Sequence, residues 1–155
     1  MRAIIKRFVP LLAVGAVAGA FAAYALATPP SGQHPTTPVV GTLADATHIN
    51  TDRLKFQTKD PADVATFAVT YDPNGSSGWH THPGMLFVVV QSGSVVRQVA
   101  CESHTYNAGD AFIESNEQPA GQVSNPSSTT PAVLTVTQVV PHGSVRRVEA
   151  DPPTC

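Results

Sequence analysis

A chain of 155 residues has room for one domain with a real core. Nine Lys and Arg stand against eleven Asp and Glu. So few cations leave no electrostatic footprint for nucleic acid, which is excluded as a partner.

Residues 1–27 read as a secretory signal. Arg2, Lys6 and Arg7 form a basic start, and an Ala- and Gly-rich apolar run follows from Phe8 to Ala27. Ala25-Leu26-Ala27 has the small-x-small form that a signal peptidase accepts. The rival reading is an uncleaved anchor helix, because the run has about the ~20 residues a membrane span needs. Pro10 and the weak contribution of Ala to insertion favour cleavage after Ala27. On either reading the chain is exported: periplasmic, extracellular, or tethered to the outer face of a membrane through this segment alone. Cleavage removes three basic residues and no acidic one, so the body becomes more acidic.

Residues 28–52 are rich in Pro, Thr and Gly and are expected to form a flexible arm, with His34 and His48 simply solvated. Residues 53–148 read as strands separated by Gly, Pro, Asn and Ser clusters, with no sustained helical period. "RLKFQT" and "VATFAVTY" alternate, the second placing Phe67, Val69 and Tyr71 on one face. "DPNGSSG" reads as a turn. "MLFVVV" is apolar on both faces and reads as a buried strand. After the tight turn "QSGS" comes "VVRQVA", then "CESHTYNAGD" as a connection, then the short "AFIE". The loop "SNEQPAG", the stub "QVSN" and the long alternating "AVLTVTQVV" complete the series, and that last strand would suit a homodimer by edge or face pairing. Seven or eight short strands at this spacing predict an all-β sandwich or barrel. Residues 149–155 form a Pro-rich tail. In an exported chain disulfides persist, so Cys101 and Cys155 are expected to pair, tying that tail down and stabilising by about 4 kcal/mol.

The chemistry centres on "GWHTHPG". A strand sets residues i and i+2 on the same face, about 6.5–7 Å apart. His80 and His82 therefore point the same way and can turn toward one metal ion. The ordinary alternative is two polar residues at a pocket mouth. Leu86 and Val88 share their parity and make an apolar floor. Trp79 has the opposite parity and reads as a packing residue on the outer face or lip.

At these residues the chain resembles the small single-domain cupins. "GWHTHPG", an apolar strand and a "GS" turn look like the family's first motif, and "NAGDAFIE", a loop and Asn125 look like its second. The resemblance covers about residues 53–142 and implies a double-stranded β-helix, a jelly-roll-like barrel of two facing sheets. The full family motif supplies two His and a Glu, then a further His, all to one metal. The two His fall on His80 and His82. Counted back from Gly93, the Glu position is Leu86. Counted back from Asn125, the last His position is Gly121. Two of four ligands are thus retained. Of the residues that could substitute, Glu114 is the one carboxylate on the strand opening the second motif, although a strand-end Glu is ordinarily exposed. Gln98 is placed as an inward polar wall. Gln122 lies beside the vacant His position, with strand alternation turning it away. Glu117 and Gln118 lie on a loop that could fold over the mouth. His104 and His142 read as exposed.

Three functions follow. The first is an exported binding module holding a small ligand, with a divalent metal (Fe, Mn, Ni, Cu or Zn) weakly bound or absent. The second is a metal-dependent cupin enzyme of dioxygenase or isomerase type acting on a small organic molecule. The third is a metal-free acid–base enzyme with His80 or His82 as the base.

Overall fold

The computed structural model describes residues 28–116 and 119–155. The expected signal or anchor at 1–27 lies outside the described residues, as do Glu117 and Gln118. The described residues form strands and irregular connections. Among the described residues no helix is long and apolar enough to cross a membrane. The strands are β1 Ser31–Pro35, β2 Val39–Leu43, β3 His48–Asn50, β4 Lys55–Gln57, β5 Ala62–Ser76, β6 His80–Thr81, β7 Met85–Ser92, β8 Ser94–Val99, β9 Glu102–Asn107, β10 Ala111–Ser115, β11 Gly121–Ser124, β12 Ala132–Pro141 and β13 Val148–Glu149.

Two layers result. One runs β10-β7-β12-β5, with β1 and β2 both laid along the outer edge of β5. The other runs β9-β8-β11-β6-β13. They are continuous through β5, whose last residue, Ser76, pairs with Ser124 of β11. This is the all-β barrel of two facing sheets that the alternation predicts. A small β3–β4 hairpin stands apart.

Period-two alternation decides which side chains fill the barrel. Leu86, Val88 and Val90 of β7, Val69 and Tyr71 of β5, and Leu134 and Val136 of β12 are buried in one cluster with Val95, Phe112 and Val123. Each buried Val or Leu contributes roughly 1.5–3 kcal/mol. β7 was expected to be covered on both faces. Instead Phe87 is 38% and Val89 45% exposed, so this strand turns an apolar face to solvent.

Four further expectations need correction. The arm 28–52 carries three strands, two of them zipped onto β5; its prolines fall on a sheet edge or between strands, where a missing amide costs no ladder bond. "DPNGSSG" does not end a strand. β5 bends there, with Asn74 at φ 59°, and carries on into the second layer. Gly75 is needed at the bend, because a Cβ would lie 2.7 Å from the Gly32 carbonyl oxygen and 2.9 Å from that of Asp72. "CESHTYNAGD" is largely β9, an edge strand exposed over most of its length. Finally, β12 has no free edge for a second copy, since β5 and β7 flank it.

Cys101 and Cys155 form a disulfide across a sequence separation of 54. It is compatible with an oxidising location.

Candidate metal centre

β6 is only two residues long, yet it is held on both sides. His80 pairs with Gly121 of β11 on one side and with Glu149 of β13 on the other. His80 and His82 are 7% and 8% exposed, and their rings stand edge to face with centroids 4.7 Å apart. Both therefore look into the barrel.

Each ring is fixed from behind. His80 Nδ1 lies 2.9 Å from the Gly78 carbonyl oxygen, and His82 Nδ1 lies 2.7 Å from that of Arg146. A carbonyl only accepts, so each Nδ1 carries the proton and donates it. Both Nε2 atoms then present lone pairs to the interior. Gln138, 2% exposed, donates to the same Arg146 carbonyl and so helps to hold it in place.

Facing them is Glu114 of β10, buried at 9% exposure. Its Oε2 is 3.3 Å from His82 Nε2 and 3.8 Å from His80 Nε2. Its other oxygen is 3.4 Å from Arg97 Nε. Burial works to raise the Glu114 pKa; contact with His82 first, then with His80 and Arg97, pulls it down, and the net direction is below the usual carboxyl range. His80 is itself pushed below its ordinary value, chiefly by burial, against the pull of Glu114. At neutral pH its imidazole is uncharged, so the buried carboxylate faces a lone pair on that side.

The arrangement fits a metal ion. Donor atoms of His80, His82 and Glu114 all lie within 4.8 Å of one another. Two donors each about 2.1 Å from a shared ion stand roughly 3–4 Å apart, as Glu114 Oε2 does from the Nε2 of each histidine. His82 Nε2 is buried without a hydrogen-bond partner, which is costly unless something else meets it. The second partner of each imidazole is the backbone carbonyl that typically backs a metal-ligating His. These three residues could hold a metal ion.

Beside them is a cavity of about 170 Å³ lined by Phe67, Val69, Leu86, Leu134 and Val136, with the Tyr71 hydroxyl as a polar point. A cavity of roughly 150 Å³ accepts a molecule the size of benzene. Gln33 donates to the Tyr71 hydroxyl at 2.7 Å. Burial, reinforced by the Glu114 charge, pushes the Tyr71 pKa up, so the phenol keeps its proton.

Residues 67–138 match the family model described as a cupin domain. The chain carries a cupin domain. Its structure is similar to a cupin-2 domain protein from Rhodospirillum rubrum, with a TM-score of 0.53 at 12% identity over 81% of this chain and 73% of that one. It is also similar to a cupin-like protein from Thermotoga maritima (TM-score 0.49, 14% identity, 57% and 65% covered). A third relative in structure is an RmlC-like cupin from Shewanella frigidimarina (TM-score 0.44, 19% identity, 52% and 68% covered). At these identities the likeness is one of fold. No curated protein matches the sequence.

Against the cupin pattern, the structure places those residues singled out above that lie among the described ones. Leu86, at the family's Glu position, is apolar and lines the cavity. Its direct cross-strand partner is Glu114. The expectation of an exposed strand-end Glu114 is thus overturned: β10 turns Phe112 and Glu114 inward and Ile113 outward. Gly121 lies beside the histidines, and a Cβ there would come within 3.0 Å of the Gln98 carbonyl oxygen. Val88 is in the core and does not line the cavity. Gln98 does not face inward. It shares a face with Gln122, and the two amides bond to each other at 3.2 Å. The inward residues of that strand are Val95 and Arg97, and the sequence reading missed Arg97. Tyr71, Gln138 and the Arg146 carbonyl were missed as parts of the site too. Trp79 is buried at 6% exposure. His34, His48, His104 and His142 are exposed.

Proposed function

We propose that this protein is an exported cupin that holds a divalent transition metal at His80, His82 and Glu114, next to a cavity for a small, largely apolar ligand. The observation that carries this reading is the convergence of the donor atoms of three buried side chains within 4.8 Å of one another. The nitrogen and oxygen donors suit Fe, Mn, Ni, Cu or Zn. The Tyr71 hydroxyl accepts from Gln33 and retains a proton to donate to an oxygen of the ligand. The apolar walls exclude water around it.

A second reading is an enzyme of dioxygenase or isomerase type. Two His and one carboxylate on one face form the ligand set of non-haem iron oxygenases, and the cavity opens directly onto it. A bound metal would supply Lewis-acid polarisation of a coordinating substrate oxygen. Here too Tyr71 would orient the substrate, and His80 would remain neutral.

Elemental analysis of the protein purified without a His tag tests both readings. Stoichiometric metal in the wild type and its loss in His80→Ala/His82→Ala is the expected result. An ion that binds only the folded chain also stabilises it, by about 2.7 kcal/mol at a hundred times its Kd. No bound metal, and no thermal shift with any of the five ions, rejects the metal centre.

A further inference from the structure

Beyond β12 the chain returns to the back of the metal centre. The Arg146 carbonyl receives His82 Nδ1. Arg147 donates through Nη2 to the Ser77 carbonyl oxygen at 2.6 Å. β13 pairs Val148 with Thr81 and Glu149 with His80, and the Ala150 amide donates to the Trp79 carbonyl at 3.0 Å. Residues 146–150 thus form a strap along the histidine strand.

The strap's own ladder is short. β13 is two residues long, and both are exposed. Such segments open at little free-energy cost unless fastened. The fastening is Cys155. After Glu149 the chain passes through Pro152 and Pro153, which restrict its backbone, and Cys155 bonds to Cys101 in the turn after β8. Registers show what this clasps. Glu149, His80, Gly121 and Val99 form one row across four strands, and Cys101 lies two residues past the end of that row. The disulfide closes the tail back over the sheet that presents the histidine.

We propose that the Cys101–Cys155 disulfide governs the metal affinity of the site, so that the chain binds metal tightly when oxidised and weakly when reduced. Both cysteines are exposed and open to a dithiol reductant. Reduction moves two electrons and two protons from the dithiol to the bridge, leaving two protein thiols and an oxidised reductant. The freed tail lets β13 leave β6. His82 then loses the carbonyl that orients its ring, and its Nε2 ceases to be aimed at Glu114. A chain synthesised under reducing conditions would gain its full affinity only in an oxidising compartment. This inference rests on the metal reading above.

The test titrates the full chain with Co²⁺ or Zn²⁺ against a chromophoric chelator, comparing wild type with Cys101→Ser/Cys155→Ser. Serine prevents freed thiolates from binding the metal themselves. Loss of the orienting partner should weaken binding about 10- to 100-fold. Amide exchange at Thr81 and Ala150 should accelerate in the same variant. Should the double variant fail to fold, Ala150→Pro keeps the bridge and deletes the strap's bond to Trp79, and it should weaken binding in the same direction. Equal affinity with and without the bridge overturns the proposal and leaves the metal centre standing. Failure of the oxidised wild type to bind metal overturns both.

Discussion

The two layers of the barrel are built differently. In the first, β5, β7 and β12 have fifteen, eight and ten residues and pair along most of their length. In the second, β6 and β13 have two residues each and β11 has four. The long-stranded layer supplies most of the apolar core and one charged group, Glu114. The short-stranded layer supplies both histidines. Where backbone ladders are short, position must come from other contacts, and here it comes from the carbonyls of Ser77, Gly78, Trp79 and Arg146, an arginine and a disulfide. The two layers thus divide the work: one stabilises the fold, and the other aims the site.

Opening the disulfide should have the largest effect. Closing a 54-residue loop is worth about 4 kcal/mol in the chain-entropy model, so Cys101→Ser/Cys155→Ser should lower the denaturant midpoint substantially. A thiol count on unfolded, non-reduced wild type should find none free. Next is Leu134→Ala in the long-stranded layer, which should cost about 2–5 kcal/mol in chemical denaturation. Metal affinity at saturating stability should stay within a few-fold; a parallel collapse of affinity would break the division between layers. A sharper test exchanges the carboxylate across the ladder. Glu114→Gln alone should abolish tight binding. Glu114→Leu with Leu86→Glu returns a carboxylate from the directly opposed position, and binding should recover to within about tenfold of wild type. Titration of the purified variants decides this, and no recovery would show that Arg97 or the exact strand is required.

The smallest effect lies at the rim of the first layer. Asp63 accepts from His142 at 2.8 Å, from the Gly143 amide at 3.1 Å and from Thr42 at 2.8 Å. These contacts, the His142 bond foremost, lower its pKa to about 2. A depressed carboxylate stabilises fully above its unfolded value of 3.8 and loses that contribution as pH falls through about 2. Asp63→Asn should therefore be less stable than wild type at neutral pH, and the gap should narrow as pH falls from about 4 to about 2.

Much of this was legible in the sequence. His-Thr-His fixes two imidazoles on one face by parity alone, and two cysteines in an otherwise cysteine-free chain suggest their own pairing. Glu114 could be named as the substitute carboxylate, but its inward direction was not read, because the motif was followed along the chain whereas Glu114 stands across a ladder from the family's position. The signal was present: Phe112 and Glu114 share parity, so an inward Phe112 brings Glu114 inward with it. β1 and β2 were hidden by composition, since Pro35, Pro38 and their Thr neighbours suggest a tether unless the edge of β5 is known to await them. The strap was beyond reach, because its contacts are made by backbone carbonyls, which every residue has.

Glu114 and Leu86 face each other as rungs of one ladder. A metal-binding set can therefore migrate sideways by one strand while the fold stays unchanged and the linear spacing of its signature is lost. A chain sorted by spacing alone would be set aside as lacking the carboxylate even where the opposed position carries one. Scanning opposed positions, rather than intervals along the chain, would bring such proteins back into view.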